Sequence, residues 1–158
     1  MNDLKRILEA EAVRLLIGGA SVALDDADFD RFLGYCDDPF TYRIRAWSPE
    51  LKKDMTWLEH NRHGMVELFK TLPQHLQRLG RLHRQVTVAT VEPSNVDGFL
   101  VVISPLTVHY TDLEGQTQTL AVGRYVDIVN MTGEKIVLAA RDAMLDTRDL
   151  GIGLHVPI

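Results

Sequence analysis

The chain has 158 residues and a formal net charge of −5, with 46% hydrophobic and 25% charged residues, a composition typical of a globular domain and unlike that of disordered chains. Because the basic residues are scattered and the net charge is negative, the sequence predicts no nucleic-acid partner and no membrane-binding surface. The length predicts one domain over residues 1–158, able to bury about two thirds of the surface that its unfolded form exposes.

The first predicted element is a helix from Leu4 to Leu24. Apolar residues recur there every three or four positions, as a single buried helix face requires. We expect that face to consist of Leu4, Ile7, Leu8, Val13, Leu15, Leu16 and Val22. Gly18 and Gly19 weaken such a helix by about 1 kcal/mol each relative to alanine, so the helix is expected either to bend at this point or to have a close packing contact there, and we favour the packing contact.

A second helix and a first strand are predicted next. Asp28 can cap a short helix, because its carboxylate can accept hydrogen bonds from the first free backbone N–H groups. One side of that helix carries Phe29, Phe32 and Leu33. The stretch 40–47 alternates and is rich in aromatic and β-branched residues, which predicts a half-buried strand.

The middle of the chain gives a weaker pattern. Residues 48–60 are expected to mix a helical turn with a short strand at 55–58. The stretch from His63 to Leu72 predicts a third helix, because its apolar residues share a face and Pro73 lies just past the expected end.

The second half of the chain predicts an antiparallel sheet. Turn sequences separate four β-rich segments, at 82–92, 98–111, 117–130 and 135–146. Helices followed by a long sheet indicate an α+β fold in which the helices cover one face of a curved sheet. Because segment 117–130 carries apolar residues on both faces, we expect a second apolar face that a protein partner covers.

The last residues and the one cysteine add two expectations. In the tail 149–158 the apolar residues share one side of an extended strand, which predicts burial against a sheet or a neighbouring subunit. Cys36 is the sole cysteine, so it is expected to be a small buried thiol without a disulfide. With no secretion signal and no membrane-spanning stretch in the sequence, we expect a cytoplasmic protein.

The residues suited to chemistry leave one enzymatic possibility open. The sequence lacks the glycine-rich nucleotide-binding motifs and the nucleophile motifs of hydrolases. General acid–base catalysis remains possible, because a curved, cone-like sheet can bring four suitable side chains towards one cavity. These are Asp25, Tyr42, His83 and His109.

The order of elements and the stretch LDDADFDRF at 24–32 resemble the cystatin-like cone superfamily. That superfamily includes SnoaL-type cyclases, scytalone dehydratase and the beta subunits of Rieske-type ring-hydroxylating oxygenases. The beta subunits are further resembled by HNRHGM at 60–65, LHRQV at 82–86 and ARDAMLD at 140–146. The stretch KDMTWLEH at 53–60 is similar to small subunits of the methanesulfonate monooxygenase type.

This resemblance implies a non-catalytic structural beta subunit, a homotrimer within an α3β3 assembly. The oxygenase alpha subunit would then carry the Rieske [2Fe-2S] cluster and the mononuclear iron. A Rieske cluster needs two cysteines and two histidines, so this chain with its one cysteine cannot hold it. Glu59, His60 and His63 have spacings that could hold a metal, but a second pair of ligands is missing, so no cofactor or metal is expected.

The alternative is a free-standing SnoaL-like dehydratase, isomerase or hydrolase that uses an acid–base pair in the cone cavity. Dehydratases of this fold place a Tyr-Asp pair at the end of the first helix, whereas Leu24 precedes Asp25 here. They also have a histidine where this chain has Gln85, and an amide cannot act as a general base. The sequence therefore favours the assembly role over catalysis.

Overall fold

The computed structural model describes residues 2–76, 80–150 and 156–158. Within them, three helices and seven strands follow one another as α1 (Asp3–Asp25), α2 (Phe29–Gly34), β1 (Cys36–Ser48), β2 (Lys53–Asn61), α3 (Arg62–Leu76), β3 (Arg81–Val86), β4 (Thr90–Pro93), β5 (Phe99–Thr111), β6 (Thr117–Asn130) and β7 (Val137–Leu145). The predicted α+β class is confirmed, because the helices lie early in the chain and pack on a curved sheet that its second half dominates.

The sheet is mixed, with strand order β2-β1-β7-β6-β5-β3 and β4 also paired to β5. Strands β5, β6 and β7 form the predicted antiparallel meander. Strand β1 pairs in parallel with β7, which joins the first strand of the chain to the last. The early hairpin β1–β2 therefore extends the sheet that the second half of the chain builds.

Helix α1 confirms the predicted helix, but the predicted buried face is wrong. Its buried apolar residues are Val13, Leu16, Ile17, Ala20, Ala23 and Leu24. Five residues of the predicted face are instead exposed: Leu4, Ile7, Leu8, Leu15 and Val22. The helix has two apolar stripes on opposite sides, and a period of three to four residues fits both of them.

The two glycines of α1 differ in their surroundings. A Cβ on Gly19 would lie 2.6 Å from the hydroxyl of Tyr35, so the predicted packing contact is present at this position. A Cβ on Gly18 would meet no atom within 4 Å. Of the two glycines, only Gly19 is therefore accounted for by packing within the described part of the chain.

Helix α2 follows the sequence prediction closely, and α3 departs from it. The Asp28 carboxylate accepts a hydrogen bond from the backbone N–H of Arg31, so the predicted cap is confirmed. Helix α3 runs from Arg62 to Leu76 and includes Pro73, so the expected end before this proline is wrong. A proline so near the end of a helix removes one backbone hydrogen bond, and the last turn can continue without it.

Two strand predictions change in detail. In the segment 48–60, Ser48 ends β1, a turn follows at 49–52, and strand β2 begins at Lys53, without the expected helical turn. The predicted strand 82–92 is divided into β3 and β4, which both pair with β5. The break lies opposite Pro105. The Pro105 carbonyl accepts a hydrogen bond from the N–H of Thr87, but proline has no N–H with which to donate the second hydrogen bond of the pair.

One face of the sheet packs against the helices, and the other carries partly exposed apolar side chains. On β6 the inner face buries Ala121, Tyr125 and Val129, while Val122 on the outer face is 41% exposed. In the described part of the chain, no helix is long and apolar enough to cross a membrane.

Candidate functional site in the cone interior

The interior of the cone contains a buried ion pair between neighbouring strands. Asp127 on β6 and Arg141 on β7 lie opposite each other, and both are fully buried. The Arg141 Nε and Nη2 atoms donate to the two carboxylate oxygens of Asp127, at 2.8 and 3.0 Å. Burial raises the pKa of Asp127, and the charge and hydrogen bonds of Arg141 oppose that shift. The bidentate geometry lets both charges remain in a dry interior.

Tyr125 packs against the Arg141 side of this ion pair. The guanidinium carbon of Arg141 lies 3.7 Å from the centre of the Tyr125 ring, a cation–π contact. Burial raises the pKa of the Tyr125 hydroxyl, so it stays protonated. Asp127, Arg141 and Tyr125 thus contact one another on the buried face of strands β6 and β7.

A second buried pair joins the end of α1 to strand β3. The Arg84 Nη1 atom donates to the Asp25 carboxylate at 2.7 Å, and the Arg84 backbone N–H donates to it at 3.1 Å. The Nδ1 atom of His83 lies 3.3 Å from the other carboxylate oxygen of Asp25. Because Asp25 closes the edge strand β3 against α1, its carboxylate has a clear structural role.

The residues Val156, Pro157 and Ile158 occupy the space beside these pairs. The Tyr42 hydroxyl donates to the main-chain oxygen of Ile158 at 2.9 Å and accepts from its N–H at 2.7 Å. The Arg84 Nη2 atom donates to the Pro157 carbonyl at 2.5 Å. Val156 and Ile158 are buried in the core, and burial raises the pKa of Tyr42.

The four sequence-predicted site residues are only partly brought together. Asp25 contacts His83, while the hydroxyl of Tyr42 is engaged by Ile158. His83 and His109 face each other across β3 and β5, but the His83 side chain is 61% exposed. His83 precedes the buried Arg84 and His109 follows the buried Val108, so both histidines lie on the outer side of the sheet. The His109 Nε2 atom lies 3.2 Å from the Gln85 side-chain oxygen.

The sequence prediction missed three charged residues that are buried in the interior, namely Arg84, Asp127 and Arg141. A pattern for one of them was present. Asp127 has the same alternation as Tyr125 and Val129, which places a carboxylate on a buried face. The pairing of these two charges depends on the register between strands β6 and β7, and the sequence alone does not determine that register.

The donor residues of this chain do not fit an iron–sulfur cluster of the Rieske type. That cluster takes two cysteine and two histidine ligands, and Cys36 is the sole cysteine. Cys36 is also buried, with its thiol donating to the Phe32 carbonyl at 3.4 Å. Among the residues that the structure describes, no three histidine, cysteine or acidic side chains are grouped as a metal site would require.

A curved sheet packed against helices is the architecture of the cystatin-like fold, and solved structures of this type match the chain. The fold matches a beta subunit of an aromatic-ring-hydroxylating dioxygenase from Novosphingobium aromaticivorans with a TM-score of 0.84 at 16% identity, over 97% of this chain and 99% of the other. A chain of naphthalene 1,2-dioxygenase matches with a TM-score of 0.71 at 16% identity, over 94% and 84% of the two chains.

The sequence comparisons identify the family. The ring hydroxylating beta subunit model matches residues 20–151. The beta subunit of methanesulfonate monooxygenase hydroxylase from Methylosulfonomonas methylovora is 32% identical, covering 94% of this chain and 87% of the relative. The beta subunit of 2-aminobenzenesulfonate 2,3-dioxygenase from an Alcaligenes species is 31% identical, covering 85% and 89%. The chain therefore belongs to the ring-hydroxylating beta subunit family, and the resemblance noted in the sequence is confirmed.

Membership of this family fixes the general role of the chain. It is a beta subunit of a multi-subunit oxygenase, and its partner is an alpha subunit. In these oxygenases the beta subunit is the partner that does not bear the iron.

Proposed function

We propose that this chain is a non-catalytic structural subunit, and that it supports an alpha subunit that carries the Rieske cluster and the mononuclear iron. The observation that carries the proposal is that the acid–base candidates Tyr42 and Asp25 are held by hydrogen bonds within the chain. The acid–base candidates Tyr42 and Asp25 are bound to Ile158 and Arg84, so they have no free group to offer a substrate. A free-standing dehydratase of this fold would need those groups to face an open cavity.

We propose further that three copies assemble through the outer face of the sheet, within an α3β3 complex in the cytoplasm. On that face Val101 lies opposite Ile128, and Ile103 lies opposite Val126. Ion pairs of Arg43 and Arg45 with Asp142 border this apolar area. An apolar centre with a charged rim is the composition of many protein interfaces.

We also propose that the substrate of the assembled oxygenase is an organosulfonate. Both curated relatives belong to oxygenases named for sulfonated compounds, one aliphatic and one aromatic. This proposal concerns the whole complex, because the alpha subunit would supply the reacting iron.

The structural role is tested by purifying the chain with and without its alpha subunit. The isolated chain is expected to contain no stoichiometric iron, to have a featureless visible spectrum and to show no turnover. The co-purified complex is expected to contain iron and to be active. Stoichiometric iron in the isolated chain, or turnover by it, would refute the structural role.

The substrate proposal is tested on the same complex with its electron-transfer partners. Oxygen consumption is expected with methanesulfonate or 2-aminobenzenesulfonate, and not with benzoate or naphthalene as matched non-sulfonated compounds. Equal consumption with benzoate would exclude a preference for sulfonates and would leave the structural role of this chain unaffected.

A further inference from the structure

The outward side of helix α1 carries an exposed apolar seam. Leu4, Leu8, Leu15 and Val22 are exposed by 59, 60, 60 and 48%. Together with Glu11 and Gly18, they follow one another at steps of four, three, four, three and four residues. That spacing repeats every seven residues and places the six positions in one line along the helix, as in the contact line of a coiled coil. The seam lies opposite the buried residues Val13, Leu16 and Ala20.

The first part of α1 extends beyond the body of the protein. Residues 2–8 are exposed on every side of the helix, and Val13 is the first buried residue. A helical segment of this length is marginal in water without a packing partner. The family model begins at residue 20, so this segment lies outside the region that it matches.

Gly18 gives a second, independent observation on the same seam. It lies in the middle of a helix, where glycine is unfavourable, and a Cβ at this position would meet no atom within 4 Å. Nothing in the described part of the chain explains a glycine here. A notch in an apolar ridge fits a large side chain of a second helix.

The charges at the centre of the seam favour one particular partner. The Arg14 Nε atom donates to the Glu11 carboxylate at 2.8 Å, and this exposed pair lies between the two ends of the seam. A two-fold axis at this point would bring the pair of one copy beside the pair of the other, with each carboxylate next to a guanidinium. Parallel helices would instead place Glu11 against Glu11, which is unfavourable.

We propose that α1 pairs with α1 of a second copy in antiparallel orientation, about a two-fold axis near Glu11 and Arg14. Leu4 of one copy then contacts Val22 of the other, and Leu8 enters the notch at Gly18. The projecting segment of each helix rests on the part of the other that is anchored to the body. This contact is separate from the outer face of the sheet, so where three copies assemble through that face the two-fold contact joins two such trimers.

Engineered cysteines test the orientation in the full-length chain. Leu4 and Val22 lie about 27 Å apart along one helix, too far for a disulfide within a chain. Mild oxidation of a mixture of Leu4→Cys and Val22→Cys chains is expected to give a covalent dimer, while each variant alone gives none. A dimer from Leu4→Cys alone would show parallel pairing and would overturn the proposal, as would the absence of a dimer from the mixture.

Sedimentation of the full-length chain tests whether a second copy of the chain binds the seam. The double variant L4E/L8E is expected to have half the mass of the wild type and at least tenfold weaker self-association. Ala10→Glu, on an exposed position away from the seam, is expected to change neither. Circular dichroism confirms that both variants fold.

The same variants, co-expressed with the alpha subunit, test whether the seam binds the alpha subunit instead of a second copy of the chain. If L4E/L8E keeps the wild-type mass but no longer co-purifies with the alpha subunit, the seam binds that subunit and self-pairing is excluded. An unchanged mass with unchanged co-purification would also overturn the proposal.

Discussion

At the scale of single residues, the thiol of Cys36 has a different pKa in the folded and in the unfolded chain. Burial raises the pKa of its thiol from 9.0 to about 12. Since the pKa in the folded chain is above that in the unfolded chain, its contribution to stability is complete below pH 9 and is lost as the pH rises towards 12. The free energy of unfolding is expected to lose about 1.4 kcal/mol per pH unit in this window through Cys36.

The measurement compares wild type and Cys36→Ala by urea unfolding at pH 8 and pH 10.5. The variant lacks this titration, so the stability advantage of the wild type should shrink at the higher pH. Iodoacetamide should modify the thiol much faster in urea than in buffer. An advantage that stays constant with pH would contradict the assigned shift.

Asp25 and His109 distinguish a structural interior from a catalytic one. In Asp25→Ala the buried Arg84 loses its partner, and we expect the free energy of unfolding to fall by about 3–5 kcal/mol. His109→Ala changes an exposed contact and should alter stability by less than about 0.5 kcal/mol. Turnover per assembled oxygenase complex should be nearly unchanged in both. A loss of about 10²-fold with assembly intact would indicate a general acid or base.

The sequence predicted the residue types of this site better than their partners. That Asp25, Tyr42, His83 and His109 share one cavity stays a prediction; in the structure Asp25 contacts His83, while the Tyr42 hydroxyl is bound to Ile158. Their actual partners, Arg84 and Ile158, depend on contacts between residues 59 and 116 positions apart. Local pattern carries no information on such distant contacts.

At the scale of elements, the segment Val156–Ile158 is expected to hold the cone together. Its deletion removes two buried apolar side chains, worth about 1.5–3 kcal/mol each. It also leaves the hydroxyl of Tyr42 without its partner, at a cost of about 1–3 kcal/mol. After the gain in chain entropy, we expect a net loss of about 2 kcal/mol or more in urea unfolding.

Tyr42→Phe provides the matched control for this deletion. Because the deletion already removes the partner of the hydroxyl, the two changes together should cost less than the sum of their separate effects. Strict additivity, or an unchanged urea midpoint after the deletion, would show that the segment does not stabilise the cone. The tail prediction is borne out for Val156 and Ile158, while residues 151–155 lie outside the described part of the chain.

The adjacent glycines of α1 give a matched pair of substitutions. Gly18→Ala adds a methyl group in open space and should raise the free energy of unfolding by about 1 kcal/mol. Gly19→Ala gains the same helix propensity but forces Tyr35 to move, which costs about 1–3 kcal/mol. Thermal unfolding at low protein concentration should therefore rank Gly18→Ala above wild type and Gly19→Ala. The reverse order of the two variants would refute this assignment.

Element positions were predicted well where one physical rule decides them. The cap of Asp28 and the three long strands of the meander follow from local chemistry. The buried face of α1 was assigned wrongly, because periodicity identifies a stripe without showing which stripe meets the core. The break between β3 and β4 needed the identity of the neighbouring strand, since its cause is Pro105 on β5.

At the scale of the whole molecule, the outer face of the sheet predicts self-association. Ile128→Glu places a charge in the centre of this face, opposite Val101, and should increase the monomer fraction in ultracentrifugation at micromolar concentration. Gln118→Glu, on an exposed position of the same strand, should have no effect. A wild-type chain that sediments as a clean monomer would show that this face has no partner among its own copies.

The overall architecture was accessible from sequence because helices followed by strands leave few packing solutions. The parallel pairing of β1 with β7 was not accessible from the sequence, because the chain between them is long and the hydrophobic pattern of β1 does not show which strand lies beside it. The family resemblance contributed the shape of the cone, and the fold confirms it.

That parallel pair also sets the order in which the chain can fold. Arg43 on β1 hydrogen-bonds to Asp142 on β7, 99 residues later, so the contact has a high sequence separation. Contacts of this kind slow folding, because loop closure must precede the contacts that stabilise it. At a synthesis rate of about 5–20 residues per second, β1 waits about 5–20 s on the ribosome for its neighbour. Throughout that time one edge of the hairpin β1–β2 is open to other nascent chains, so the yield of folded subunit should fall when elongation is slowed and rise when chaperones are abundant.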